Sequence, residues 1–155
     1  MSEFKPGDKI ANEAYEIVKS IPGGGMAYVY KVVDLVGLDR QYGALKFPMY
    51  RSNLSENERK ELREKFQREY TNWKKLPHHT NILGCLGIGK FENGEPYFVS
   101  EWMDGGSVAD WIDSGKLYEG NNSEALRRIL NISLQSAEGL YHAHKAKIKH
   151  KLRQD

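Results

Sequence analysis

Apolar and polar positions alternate over Tyr15–Ile21 and again over Tyr28–Val36. The pattern predicts two strands, joined by the glycine-rich turn Pro22-Gly23-Gly24-Gly25-Met26-Ala27. Gln41–Pro48 reads as a third strand, reached through the polar turn Gly37-Leu38-Asp39-Arg40. From Leu54 the period changes. Ser55-Glu56-Asn57-Glu58 has the form of a capping box, in which the serine hydroxyl and the Glu58 carboxylate satisfy each other's backbone N–H groups. Leu62, Phe66, Tyr70, Trp73 and Leu76 then recur at helical spacing, and Pro77 closes the helix. Ile82–Phe91 and Tyr97–Trp102 are two further strands with a hairpin turn at Glu92-Asn93-Gly94-Glu95. Asp104-Gly105-Gly106 is a break, Ser107–Ile112 starts a short helix, and Ser123–His144 is a long one. The long helix carries a stripe of Leu126, Ile129, Leu130, Leu134, Ala137, Leu140 and Tyr141. The order β-β-β-α-β-β, a link and two helices contains no internal repeat and no low-complexity segment.

Length and composition narrow the class without naming a function. The 155 residues suffice for one domain, or for one lobe and part of another. The chain is 39% hydrophobic and 28% charged with a formal net charge of +2, which is ordinary for a globular protein and points to no general affinity for nucleic acid or membrane. The single cysteine, Cys85, excludes an intrachain disulfide and suits a reducing compartment. Met1-Ser2-Glu3-Phe4-Lys5-Pro6 lacks the apolar core of a signal peptide, and no apolar run approaches a membrane span. The expectation is a soluble cytoplasmic protein.

Candidate chemistry concentrates around the first turn. Its glycines let backbone N–H groups approach a phosphate closely, and a lysine on a neighbouring strand can reach the same anion. Lys46 is set in the apolar run Ala44-Leu45-Lys46-Phe47-Pro48, where a charge needs a partner or a ligand. Glu69 lies three residues after Phe66 and four before Trp73, a carboxylate inside the apolar stripe and expected to face inward. Taken singly, a glycine-rich hairpin, a snorkelling lysine and a stripe-edge glutamate are also ordinary features of a fold.

Together these residues resemble the ATP-binding half of a protein kinase, in the bacterial eukaryotic-like (Hanks-type) Ser/Thr group. The string Ile21–Lys31 resembles the family's G-x-G-x-x-G-x-V loop. With Val29 fixing the register, the glycine positions fall on Pro22, Gly24 and Ala27, so only the middle one is glycine and Pro22 removes one donor. The resemblance implies that Ile21, Gly23, Gly24, Gly25, Ala27, Val29 and Ala44 surround the nucleotide. Lys46 would anchor its phosphates and Glu69 would hold Lys46. Tyr97-Phe98-Val99-Ser100-Glu101-Trp102-Met103-Asp104-Gly105-Gly106-Ser107 resembles the last N-lobe strand and the hinge. By that match Ser100 guards the rear of the adenine pocket, backbone groups of Glu101 and Met103 bond the adenine edge, and Ser107 sits near the ribose. The implied fold is α+β: an N-lobe over 1–103, with a five-stranded antiparallel sheet and one long helix, and an incomplete C-lobe start over 104–155. ATP is the implied cofactor, with Mg²⁺ recruited only weakly, through the nucleotide.

The resemblance breaks near the end. Ala137–His144 matches the helix before the catalytic loop, and Ile148-Lys149-His150-Lys151 resembles the approach to H-R-D, but Leu152 stands where the aspartate should follow. Loss of one residue and a run-off into unrelated sequence both fit Leu152-Arg153-Gln154-Asp155. The chain therefore lacks the proton-accepting aspartate and stops before the metal-holding Asn and Asp, which argues against phosphotransfer by this chain alone. The alternative is a truncated pseudokinase acting as an interaction or scaffold module. Either way the apolar face of the 123–144 helix needs a cover, and dimerisation, domain exchange or poor solubility through Leu126, Leu130, Leu134 and Leu140 is expected. The basic alternation of Lys145, Lys147, Lys149, Lys151 and Arg153 reads as a solvated, lysine-protected edge strand. His142 and His144, without a third ligand, make no metal site.

Overall fold

The computed structural model describes residues 4–22, 27–37, 39–50, 53–76 and 78–146. The chain divides into two compact units, Met1–Lys74 with Gly84–Trp102, and Lys75–Leu83 with Met103–Asp155. In the first, β1 (Lys9–Ile10), β2 (Tyr15–Ile21), β3 (Ala27–Asp34), β4 (Tyr42–Pro48), β5 (Cys85–Lys90) and β6 (Pro96–Glu101) form one antiparallel sheet in the order β1-β2-β3-β4-β6-β5. The sheet has one strand more than the five expected. The extra one, β1, is two residues long and contributes a single core residue, Ile10, too short a signal for any periodicity to reveal. Strand ends also moved for local reasons. The Asp34 carboxylate accepts from the N–H groups of Val36 and Gly37 (2.8 and 3.1 Å), and this side-chain turn stops β3 at Asp34 rather than Val36.

Period-two alternation sorts each strand onto two faces. One face buries Ile17, Tyr30, Val32, Leu45, Phe47, Tyr97 and Val99, with Phe4 edge-on to Tyr30 and Phe47. Gly43 belongs to this packing, since a Cβ there would lie 2.5 Å from the Val99 methyl Cγ1. The other face carries α1 (Glu56–Lys74), which sets Phe66, Tyr70 and Trp73 around the Phe98 ring at centroid distances of 5.1, 6.3 and 5.2 Å. The expected capping box starts this helix: Ser55 N–H donates to Glu58 (2.8 Å), Glu58 N–H donates to Ser55 Oγ (3.3 Å), and the serine's bonds hold the Glu58 carboxyl below its ordinary range. Pro77 lies outside the described residues.

In the second unit, Ser107 caps α2 (Val108–Asp113), a 3₁₀ turn spans Lys116–Tyr118, and Asn121 caps α3 (Asn122–Lys145). Both caps are reciprocal boxes, with Asp110 and Glu124 as the returning carboxylates. Arg128 ties α3 to the 3₁₀ turn by donating to the Leu117 and Glu119 carbonyls at 2.9 and 3.1 Å. Asn81 donates to Glu138 (2.9 Å), the His79 and His142 rings meet at a tilt of 33° with centroids 4.0 Å apart, and Gly139 is buried beneath Asn81. The leucine stripe read from sequence is not covered: Leu126, Leu130 and Leu134 are 56, 59 and 59% exposed, and Leu140 and Tyr141 are exposed too. The basic run from Lys147 onward lies outside the described residues.

Candidate functional site

Strand register brings Ile21, Ala27, Val29, Ala44, Lys46 and Ser100 onto one face of the sheet, the face that carries α1. Ile21 pairs with Val29, Val29 with Lys46 and Lys46 with Phe98, making one cross-strand row. The next row runs Lys19, Lys31, Ala44, Ser100, Cys85. Ile21, Val29 and Ala44 thus form a half-buried apolar patch with Lys46 at its α1 end. Lys46 Nζ stands 3.2 Å from Glu69 Oε1 and 5.4 Å above the Phe98 ring. A recess of about 60 Å³ at this point is lined by Ala27, Lys46, Leu62, Lys65, Phe66 and Glu69.

Glu69 is not inside the stripe. Its side chain is 48% exposed and that of Lys46 is 32% exposed, because Phe66 and Tyr70 take the seat on Phe98 and leave Glu69 at the edge of the apolar face. An ion pair this open contributes about 0–1 kcal/mol to stability. The pair holds a long flexible side chain over the sheet beside an open apolar patch.

Ser100 is buried, and its hydroxyl donates to the Glu101 carbonyl at 3.2 Å. That carbonyl keeps a second lone pair. The Glu101 N–H donates to the Gly84 carbonyl, and its carboxylate accepts from Gly84 N–H, both at 3.1 Å. Behind Ser100, burial pushes the Cys85 thiol above its ordinary value. At the far end of the face Lys31 Nζ lies 4.3 and 4.5 Å from the Tyr42 and Trp102 rings, a cation–aromatic cluster that no local sequence pattern announces. Met103 and Ser107 belong to the second unit. Met103 is 57% exposed, and the Ser107 hydroxyl is engaged with Asp110 as donor (2.7 Å) and acceptor (3.1 Å). Gly23, Gly24, Gly25, His150 and Lys151 lie outside the described residues. Among the described residues no group of three or more His, Cys, Asp or Glu could hold a metal ion.

A twisted antiparallel sheet with one helix, a strand lysine paired to a helix glutamate, and an apolar patch beside them is a kinase arrangement. The family model for "Protein tyrosine and serine/threonine kinase" matches residues 50–152, more than half of the chain. The chain belongs to the protein kinase family. It is 34% identical over 136 residues to the probable serine/threonine-protein kinase PknB of Lactococcus lactis subsp. lactis (strain IL1403), covering 88% of this chain and 20% of that protein. It is 31% identical over 140 residues to the serine/threonine-protein kinase PrkC of Bacillus subtilis (strain 168), covering 88% of this chain and 19% of that one. Among solved structures, the kinase domain of PknI from M. tuberculosis superposes with a TM-score of 0.65 at 22% identity, over 92% of this chain and 51% of that chain. The kinase family chain thus spans about a fifth of the length of these two relatives and about half of that kinase domain.

Proposed function

We propose that this chain is the nucleotide-binding portion of a Ser/Thr protein kinase and that it binds ATP on the sheet face bounded by Ile21, Val29, Ala44 and Ser100. The observation that carries the reading is the Lys46–Glu69 pair, 3.2 Å apart at the edge of that patch. A flat apolar surface suits a purine ring, and a cation about 7 Å further along the same strand suits the phosphates that follow it. The residues present fit this ligand. Ile21, Val29 and Ala44 contact the base, and the Glu101 carbonyl accepts from its amino edge. Lys46 bonds the phosphates and Glu69 orients Lys46. Mg²⁺ would neutralise phosphate charge when it arrives with the nucleotide. We place the domain boundary near residue 103 and the protein in the cytoplasm, where its nucleotide is abundant and Cys85 stays reduced.

Transfer of the γ-phosphoryl to a protein hydroxyl belongs in this proposal to the complete kinase. In these 155 residues Leu152 follows His150-Lys151 where the family places its proton-accepting aspartate. Loss of a general base lowers rates by on the order of 10²–10⁴. Equilibrium dialysis with labelled ATP should give saturable binding to this chain, and a γ-phosphoryl transfer assay should give none above background. Absence of binding at millimolar ATP in folded protein contradicts the reading.

A second reading, an interaction module, is favoured by one observation. α3 exposes Leu126, Leu130 and Leu134 at successive i, i+4 positions, with Leu140 and Tyr141 beyond them. The two readings are compatible, and nucleotide binding separates a bare scaffold from a working site.

A further inference from the structure

Three segments of the first unit converge on one buried carboxylate. Glu95, at the end of the β5–β6 turn, is 9% exposed. Arg63 of α1 grips it with two nitrogens, Nη2 to Oε1 at 2.8 Å and Nε to Oε2 at 3.4 Å. Tyr50, in the link between β4 and α1, donates its hydroxyl to Glu95 Oε2, and Arg59 of α1 lies 5.8 Å from the Tyr50 ring. None of these groups touches the nucleotide face described above.

We propose that the Tyr50–Glu95–Arg63 clamp is a positioning device for the nucleotide site: it fixes the roll of α1 on the sheet and so keeps Glu69 on Lys46. The inference rests on the nucleotide-binding reading for its use, though not for its geometry. α1 sits on Phe98 through Phe66 and Tyr70, whose rings lie within 26 and 28° of parallel to it, and through Trp73, edge-on at 77°. All three contacts converge on one ring, so they hold α1 at a single point of the sheet, and a second contact away from that point is needed to fix its roll. A forked guanidinium–carboxylate contact is directional. Arg63 stands six residues before Glu69, about 9 Å along the axis and about 120° around it. It therefore grips the β6 side of the helix while Glu69 projects toward β4. A roll of about 30° moves a side-chain tip by about 3 Å on a helix of about 5–6 Å outer radius. That is as large as the 3.2 Å Lys46–Glu69 separation itself. Because Glu95 is buried, releasing Arg63 leaves a charge without its partner, which makes the clamped position the favoured one. Tyr50 stays protonated, and so remains a donor, across the physiological range.

The test uses the 155-residue chain and the pair Arg63→Met with Glu95→Leu, an apolar replacement that leaves no unpaired buried charge. Two quantities are read in the wild-type and Glu69→Gln backgrounds: the ATP dissociation constant, and the rate at which Lys46 is acylated by an N-hydroxysuccinimide ester, followed by peptide mass spectrometry. When α1 rolls, the Glu69 carboxylate no longer stands against Lys46 Nζ, and the ester reaches the amine more easily. In the Glu69 background the double variant should raise Lys46 acylation to the level of Glu69→Gln and weaken ATP binding about 3–10-fold. In the Glu69→Gln background both effects should fall below about twofold, the non-additivity of groups acting through one another. An unchanged acylation rate, or equal losses of affinity in both backgrounds, overturns the clamp. Faster acylation in a chain that binds no ATP overturns the nucleotide reading and leaves the clamp standing.

Discussion

Tyr50 is a residue whose chemistry can be followed in isolation. Burial, and next the hydrogen bond to Glu95, push its hydroxyl up from 10.0 to about 12. A phenol whose folded value is raised binds its proton more tightly folded than unfolded. It therefore contributes stability that is complete below pH 10 and is lost as pH rises toward 12. Tyr15 and Tyr97 are also raised by burial, so the informative quantity is a difference. Tyr50→Phe should flatten the fall in stability across pH 10–12 by close to one proton's slope, measured by denaturant titration at a series of pH values. Identical slopes for the two proteins would contradict the assignment. The same residue marks the limit of sequence reading. Lys46 was legible because it breaks an apolar run, and Glu69 because its helical spacing sets it beside one. Tyr50, Arg63 and Glu95 break none, and Glu95 lies 45 and 32 residues from its two partners. Only the folded sheet brings them together.

At the scale of elements, period and caps carried most of the information. The Ser55–Glu58 box, the alternation in β2, β3 and β4 and the helical stripe of α1 are local, and the structure contains each of them. Boundaries were less legible where a tertiary partner decides them. β5 begins at Cys85 rather than Ile82, because the Ile82 N–H turns back to the His79 carbonyl and the Glu101 carboxylate takes Gly84 N–H. The orientation of Glu69 was misread for a related reason. Spacing gives the angle of a residue on a helix but not which of its neighbours will own the seat on Phe98. In α3, Gly139 is a position where helix propensity and packing disagree. Alanine is favoured over glycine in a helix by about 1 kcal/mol. A Cβ there would lie 2.5 Å from the Asn81 carbonyl oxygen, a backbone atom that cannot swing away. Overpacking of this kind costs about 1–3 kcal/mol, so Gly139→Ala should lower the thermal midpoint. A higher midpoint would show that Asn81 yields.

For the molecule as a whole, the exposed leucines of α3 and the nucleotide face make separate demands. Leu126, Leu130 and Leu134 present an apolar row to solvent, and an isolated chain is expected to self-associate through it. Sedimentation should show dimers or larger species at tens of micromolar, and Leu130→Glu with Leu134→Glu should shift them to monomer. A wild-type chain that stays monomeric at high concentration would contradict this. No helix among the described residues is long and apolar enough to cross a membrane. Membership of the kinase family was legible as a sequence of local matches in order, whereas the fate of the catalytic loop was not, since Leu152 breaks the pattern at one position.

The central claim is that Lys46, aimed by Glu69, binds the phosphates of a nucleotide whose base lies on Ile21, Val29 and Ala44. Isothermal titration of ATP, in Mg²⁺, into the wild-type chain and into Lys46→Ala tests it most directly. A charge-assisted hydrogen bond to phosphate is worth about 1.5–3 kcal/mol, so Lys46→Ala should bind ATP about 10–100-fold more weakly while keeping its affinity for adenosine and its thermal midpoint. Equal ATP affinities for the two folded proteins, or none for either, would contradict the account.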